Sequence, residues 1–224
     1  MKLAIIGYGK MGRMVEQLAP EYGFQSIVTI DIDDDFARAA GADAAIEFTT
    51  PDAALRNIEK LAALRVPVVV GTTGWLAHMD QARAAIDENG SALVWSPNFS
   101  VGVNVFLRVV REAAKLLAEE KEYGAWAWEV HHDTKKDAPS GTMIKLVEEM
   151  KAVGYPRHID VSSSRAGRHP GTHEVGFDSA ADTITLRHAA RSREGFARGA
   201  LKAAQWIVGK QGVFEFGDVL FSER

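Results

Sequence analysis

The chain of 224 residues has no cysteine, which excludes a disulfide framework, a thiolate metal site and a cysteine nucleophile. No apolar run reaches the roughly 18 residues that a membrane-crossing helix needs, and Met1 leads straight into a strand-like segment without a charged leader or cleavage site. A cytoplasmic protein with no membrane partner is expected. An excess of positive charge is also absent: 26 Lys and Arg face 30 Asp and Glu, a formal net charge of -4, and no basic stripe suggests nucleic acid. Repeats and low-complexity tracts are missing as well. What remains is 46% hydrophobic and 25% charged, enough for one large domain or two small ones.

Hydrophobic periodicity organises the chain. Lys2 to Ile6, Gln25 to Ile30, Ala44 to Phe48, Val66 to Val70 and Ala92 to Trp95 read as buried strands. Lys10 to Ala19, Asp52 to Leu64 and Leu76 to Asn89 read as amphipathic helices between them, the second with Pro51 near its start. Such alternation predicts right-handed crossovers and a parallel sheet covered on both faces. After about Phe99 the pattern changes. A helix from Val103 to Glu119 precedes Ala125 to His131, whose period-two alternation puts Trp126, Trp128 and Val130 on one face and Ala127, Glu129 and His131 on the other. Thr142 to Val153 reads as a helix, and Ile159 to Ser163, His173 to Phe177 and Thr183 to Leu186 as strands of an antiparallel or mixed sheet. A final helix, Gly195 to Val208, carries Ala200, Ala203, Ala204 and Ile207 on one stripe. The expected class is α/β: a Rossmann-like unit plus a smaller α+β mixed-sheet unit.

Gly7-Tyr8-Gly9-Lys10-Met11-Gly12 fits G-x-G-x-x-G between a strand and a helix. Glycines there permit a tight turn, close approach to a pyrophosphate and close helix–strand packing, and the helix N-terminus supplies donors and a positive dipole end. Asp31, at the end of the second strand, is placed to accept hydrogen bonds from a ribose diol. A carboxylate repels a 2′-phosphate, and residues 32–35 hold no arginine to neutralise one, so NADH is expected to be preferred over NADPH. Gly71-Thr72-Thr73-Gly74 and Ser96-Pro97-Asn98-Phe99 follow two further strands at the same sheet edge, where open α/β sheets bind ligands, and Asn98 could bond a carboxamide.

The segment from His131 to Thr142, HHDTKKDAPSGT, is the second candidate site. Ser140 can cap a helix whose first residues, Gly141 and Thr142, then present free N–H groups, which makes an anion site beside His131, His132 and Lys135. A small di-acid is the natural occupant. No metal is expected, because adjacent residues on a strand point to opposite faces, which separates His131 from His132, and Pro170-Gly171 breaks any helix aligning His169 with His173. Ser140 lacks the G-x-S-x-G elbow of a hydrolase nucleophile.

From Glu129 to Thr142 the chain matches E-x-H-H-x-x-K-x-D-x-P-S-G-T at every fixed position, and it thereby resembles the 4-hydroxy-tetrahydrodipicolinate (dihydrodipicolinate) reductase family of diaminopimelate and lysine biosynthesis. Phe48-Thr49 with Pro51, Gly71 to Gly74, Asn98 to Asn104, Arg165-Ala166-Gly167, Gly171 with His173, and Gly217 to Leu220 agree as well. The resemblance implies His131 and Lys135 as the acid–base pair, substrate contacts from His132, Gly141 and Thr142, and a dinucleotide held by Gly7 to Gly12, Asp31, Gly71 to Thr73 and Ser96 to Phe99. It also implies a dinucleotide domain over 1–99 completed by 195–224, a substrate and oligomerisation domain over 100–194, and a homotetramer. The chain departs from the family in a glycine turn one residue tighter, in Lys10 for a common arginine, in a shorter stretch between Asp31 and Glu47, in Glu47 for the aspartate of D-F-T, and in short strands around Ile159 to Ser164. Two other functions fit the residues: a different NAD(P)-dependent dehydrogenase of an amino-acid-like dicarboxylate, and a dinucleotide-binding sensor without turnover.

Overall fold

A computed structural model describes residues 1–221. The chain divides into two compact units, one made of Met1–Val101 with the chain from Glu194 onward, the other of Gly102–Arg193.

The first unit holds β1 (Lys2–Ile6), β2 (Ser26–Ile30), β3 (Ala44–Glu47), β4 (Val68–Val70), β5 (Ala92–Trp95) and the last strand, β10 (Gly212–Glu215). All pair in parallel, in the order β10-β5-β4-β3-β1-β2. Because strand residues alternate in direction, one run of apolar residues feeds two cores. Leu3, Ile5, Ile46 and Val94 pack on one face with α1 (Lys10–Leu18), α6 (Glu194–Ile207) and α7 (Phe216–Phe221). Ala4, Ile6, Ala45 and Leu93 pack on the other with α2 (Pro51–Ala63) and α3 (Met79–Asn89). Each fully buried Leu or Ile contributes about 2 kcal/mol by leaving water. β1 lies between β2 and β3, so strand order reverses beside it, and the ends of β1 and β3 flank a crevice of the kind that binds ligands in open sheets.

The second unit begins within α4 (Val101–Leu116) and continues through β6 (Gly124–His131), α5 (Gly141–Ala152), β7 (Ile159–Arg165), β8 (Thr172–Asp178) and β9 (Thr183–Ala189). Its sheet has the order β7-β6-β8-β9, with β7 parallel to β6 and the other pairs antiparallel. Phe106, Val110 and Ala114 of α4 and Met143, Leu146 and Met150 of α5 bury the face carrying Ala127, Val175 and Phe177. On the opposite face Trp126 lies over its cross-strand partner Gly176, and Trp128 Nε1 donates to Ser164 Oγ at 3.2 Å.

The sequence reading holds for the parallel sheet and the mixed one, with local differences. The first helix ends at Leu18, where Pro20 turns the chain into a 3₁₀ segment closed by Gly23 in the left-handed region. A 3₁₀ turn, Leu76–His78, precedes α3, so the helix expected from Leu76 starts at Met79. β7 and β9 are each seven residues long, which makes the strand from Ile159 longer than its pattern suggested. β10 and α7 were not expected at all; each is only a few residues long, too short for periodicity to register.

Candidate active site

In the first unit the glycine turn is closed by backbone contact. Gly7 has φ +90, and a Cβ there would meet the Phe48 carbonyl oxygen at 2.2 Å; a Cβ on Gly12 would meet the Gly7 oxygen at 2.2 Å. Only glycine fits either place. Gly9, which is exposed, caps α1 without a side-chain hydrogen bond, so the N–H groups of the first turn remain available. A cleft of about 440 Å³ brings Gly9, Lys10 and Met11 together with Gly71, Thr72 and Thr73, and Phe48, Thr49 and Pro51 complete its lining. Its floor is a buried polar cluster: Thr72 Oγ1 accepts from Thr49 N at 2.7 Å, and Glu47 accepts from Thr49 Oγ1 and from Asn57 Nδ2. Burial raises the Glu47 carboxyl above the ordinary value, an effect its hydrogen bonds reduce without cancelling. This turn and cleft fit the diphosphate of a dinucleotide.

The remaining dinucleotide candidates are placed differently. The Tyr8 hydroxyl bonds Glu16, and the Arg13 guanidinium sits 5.3 Å from its ring centroid, so Tyr8 lies along α1. Asp31 is exposed, its N–H donates to Asp34 Oδ2 at 2.8 Å, and Arg38 Nη1 pairs with Asp34 Oδ1 at 3.1 Å. Ser96 Oγ closes a small turn by donating to Asn98 O at 2.8 Å, and Asn98 Oδ1 accepts from Ser100 N at 2.9 Å. Pro97 is exposed. The Phe99 ring is in the core, 4.9 Å from that of Phe216, so a ligand could reach only the backbone of this residue.

In the second unit, register assembles the site. Glu129 is paired with Ser163 across the parallel pair and with His173 across the antiparallel one, while His131 is paired with Arg165. These side chains share the end of one sheet face, where α5 begins. Glu129 is fully buried, and its Oε1 accepts from Ser140 N at 2.9 Å, Ser163 Oγ at 2.9 Å and Arg165 Nη2 at 3.0 Å. Its Oε2 lies 3.6 Å from His131 Nδ1 and 3.4 Å from His173 Nε2. Ser140 caps α5, its Oγ accepting from Met143 N at 3.2 Å and lying 3.1 Å from His173 Nε2. No described hydrogen bond takes up the N–H groups of Gly141 and Thr142, which begin the helix.

The loop between is held by Asp133 N to Gly167 O at 3.1 Å, Lys135 N to His132 O at 3.1 Å, and a bond from Arg165 to the Asp137 carbonyl. His132 is half-buried, with Nδ1 2.7 Å from Thr134 Oγ1, and Lys135 Nζ grips both oxygens of Asp137 at 2.7 and 2.8 Å. Glu129, Asp137, Arg165 and His173 were not singled out as site residues from the sequence. The signal available for Glu129 was its place two residues before His131 on the same strand face.

Burial would raise the Glu129 carboxyl, but hydrogen bonds from Ser140, Ser163 and Arg165 outweigh it and hold the group below the ordinary glutamate value. Burial lowers His131, an effect that Glu129 opposes and that Lys135 and Arg165 reinforce. His173 is pushed down from 6.5 to about 4, first by burial and then by the charge of His131. The unfolded chain therefore binds more protons than the fold between these values, so this contribution to stability is complete above pH 6.5 and is lost as pH falls toward about 4. Melting temperature should decline across that window and decline less steeply in His173→Gln. Equal slopes would contradict the assignment.

Donor atoms of Glu129, His131 and His173 lie within 4.8 Å of one another, a spacing that could accommodate a metal ion. The group is assembled from across the sheet, and neither the neighbouring pair His131 and His132 nor His169 with His173 forms it. Arg165 already bonds the same carboxylate and Lys135 adds further positive charge, both of which disfavour a cation there. We read it as a hydrogen-bonding network.

A Rossmann-like sheet with a glycine turn, followed in one chain by a mixed-sheet unit, places the protein among the dinucleotide-dependent oxidoreductases. The family models described as dihydrodipicolinate reductase, N-terminus, and dihydrodipicolinate reductase, C-terminus, match residues 23–99 and 102–220. The chain belongs to the dihydrodipicolinate reductase family. The 4-hydroxy-tetrahydrodipicolinate reductase of Christiangramia forsetii is 35% identical over 237 residues, spanning 98% of both chains. Its namesake from Archaeoglobus fulgidus is 36% identical over 260 residues, covering 98% of this chain and 100% of the relative. A dipicolinate-bound dihydrodipicolinate reductase from Paenisporosarcina sp. TG-14 shares the fold, with a TM-score of 0.80 at 19% identity over 98% of this chain and 99% of that one.

Proposed function

We propose that this chain reduces 4-hydroxy-tetrahydrodipicolinate to tetrahydrodipicolinate with a reduced nicotinamide dinucleotide, a step of diaminopimelate and lysine biosynthesis. The observation that carries this reading is the start of α5: two unused N–H groups, at Gly141 and Thr142, on the loop that also carries His131, His132 and Lys135. Such a start binds a carboxylate. When bound, the dinucleotide would supply hydride to an electron-poor ring carbon, exposed once the 4-hydroxyl has left the ring as water. Gly141, Thr142 and His132 hold the substrate, Lys135 delivers a proton as negative charge develops, and His131 serves the same centre as acid or base. The first unit is the dinucleotide domain, with Gly7, Gly9, Lys10, Met11, Gly12 and Gly71 to Thr73 around the diphosphate and nicotinamide ends, and Tyr8, Asp31 and Ser96 to Phe99 at its margins. The second is the substrate and oligomerisation domain. Its uncovered sheet face, bearing Trp126 and Trp128, is suited to joining subunits of a cytoplasmic homotetramer.

Loss of nicotinamide absorbance on adding the dicarboxylate to enzyme and cofactor tests this reading. Binding without oxidation would favour a sensor, and turnover only of another dicarboxylate would favour a different dehydrogenase. The same assay compares cofactors. Asp31 stands free of cations in its own turn, and Arg38 is committed to Asp34, so kcat/KM should be higher with NADH, and Asp31→Ser should narrow the gap. A higher value with NADPH would overturn the assignment of Asp31.

A further inference from the structure

We propose that Glu129 is a positioning residue whose single carboxylate fixes both the start of α5, through Oε1, and the tautomer and orientation of the His131 imidazole, through Oε2. This deepens the proposed reaction and rests on the reading of His131 as its acid or base.

Glu129 is fully buried, and a carboxylate in that position is tolerated only if its lone pairs are met. Three donors, Ser140 N at the start of α5 and Ser163 Oγ and Arg165 Nη2 from β7, converge on Oε1 alone. Crowding one oxygen leaves the other with no hydrogen bond, and the His131 Nδ1 is likewise buried and unpartnered. They face each other at 3.6 Å.

His173 is the competitor for Oε2, at 3.4 Å from Nε2. Ser140 Oγ already accepts from Met143 N, so its proton needs an acceptor, and His173 Nε2 at 3.1 Å is one. With Nε2 accepting there, His173 has no proton to give Glu129. The remaining donor for Oε2 is Nδ1–H of His131, which places the lone pair of the neutral ring on Nε2. A carboxylate that holds an imidazole in this way selects one tautomer and stabilises the imidazolium when a proton arrives. The groups facing the pair are Lys135 and Asp137 from the loop, Arg165 from β7, His173 from β8 and, behind it, His188 from β9. The cations among them oppose protonation of His131, and Glu129 offsets them.

Nitrogen-15 spectra of the imidazoles in the full-length enzyme, with His131 assigned from its alanine variant, test the claim. Wild type should show His131 as the Nδ1–H tautomer. Glu129→Gln, which keeps shape but removes charge, should show mixed tautomers and a kcat lower by about tenfold or more, with dinucleotide KM unchanged, as expected when a partner carboxylate no longer selects the tautomer. A wild-type ring in the Nε2–H form overturns the proposal, whether or not the variant folds. A folded Glu129→Gln with wild-type tautomer and kcat does so as well. If His131→Ala itself turns over normally, the acid–base reading fails instead, and the spectra still decide the link to Glu129.

Discussion

Replacing His131 or Lys135 by alanine should lower kcat by roughly 10²-fold or more, the scale of a lost positioned acid or base. The two losses should differ in kind. Lys135 holds Asp137 through both carboxylate oxygens, which shows it can grip a carboxylate bidentately; its removal should therefore raise the substrate KM as well as lower kcat. His131 is 8% exposed and its Nδ1 lies 3.6 Å from Glu129 Oε2, so its loss should fall mainly on kcat. The effects should be less than additive if both groups serve one proton transfer. Steady-state rates for the two single variants and the double variant check this, and near-normal turnover in both single variants would remove the assignment.

Gly199→Ala should produce the largest loss of stability among simple glycine replacements. Its Cβ would lie 1.6 Å from the Phe99 carbonyl oxygen and 3.3 Å from the Phe216 ring. Cβ has no torsion through which to escape, so α6 would have to move off the sheet, taking buried Ala197, Ala200, Ala203 and Ala204 with it. Elsewhere in a helix the same change stabilises by up to about 1 kcal/mol, so the sign alone is informative. Overpacking of this kind costs about 3 kcal/mol, and at 2 to 4 °C per kcal/mol the melting temperature should fall by roughly 6 to 12 °C. A fall within about 2 °C would show that α6 adjusts freely.

Much of this architecture was legible because its signals are periodic. The strands at Lys2, Ala44 and Ala92 carry the apolar runs Leu3–Ile6, Ala44–Ile46 and Ala92–Trp95 and begin where expected, and Ala125 to His131 lies within β6. The helix that begins at Gly141 was readable from Pro139 and Ser140, whose Oγ does cap it. What sequence could not supply was cross-strand neighbours. Arg165 and His173 reach Glu129 through register, and register depends on the whole sheet. Asn98 and Phe99 illustrate the converse: their loop sits at the expected sheet edge, yet the Asn98 carbonyl group serves its own turn and the Phe99 ring serves the core. Arg38 lies only three residues beyond Asp35, and folding the intervening turn brings it back to Asp34.

The parallel sheet is completed by residues from the far end of the chain, since α6 covers one of its faces and β10 extends its edge beyond β5. During synthesis on a ribosome, the segment from Gly102 to Arg193 is therefore whole before the unit that began first. Until α6 emerges, α1 is the one helix covering that side of the nascent sheet, and Ile46 and Val94 wait for the rest of their cover, apolar surface of the kind that chaperones bind. A nonsense mutation shortly after Arg193 would leave that side with α1 alone, and the product should be cleared by proteolysis despite retaining every residue of the acid–base loop.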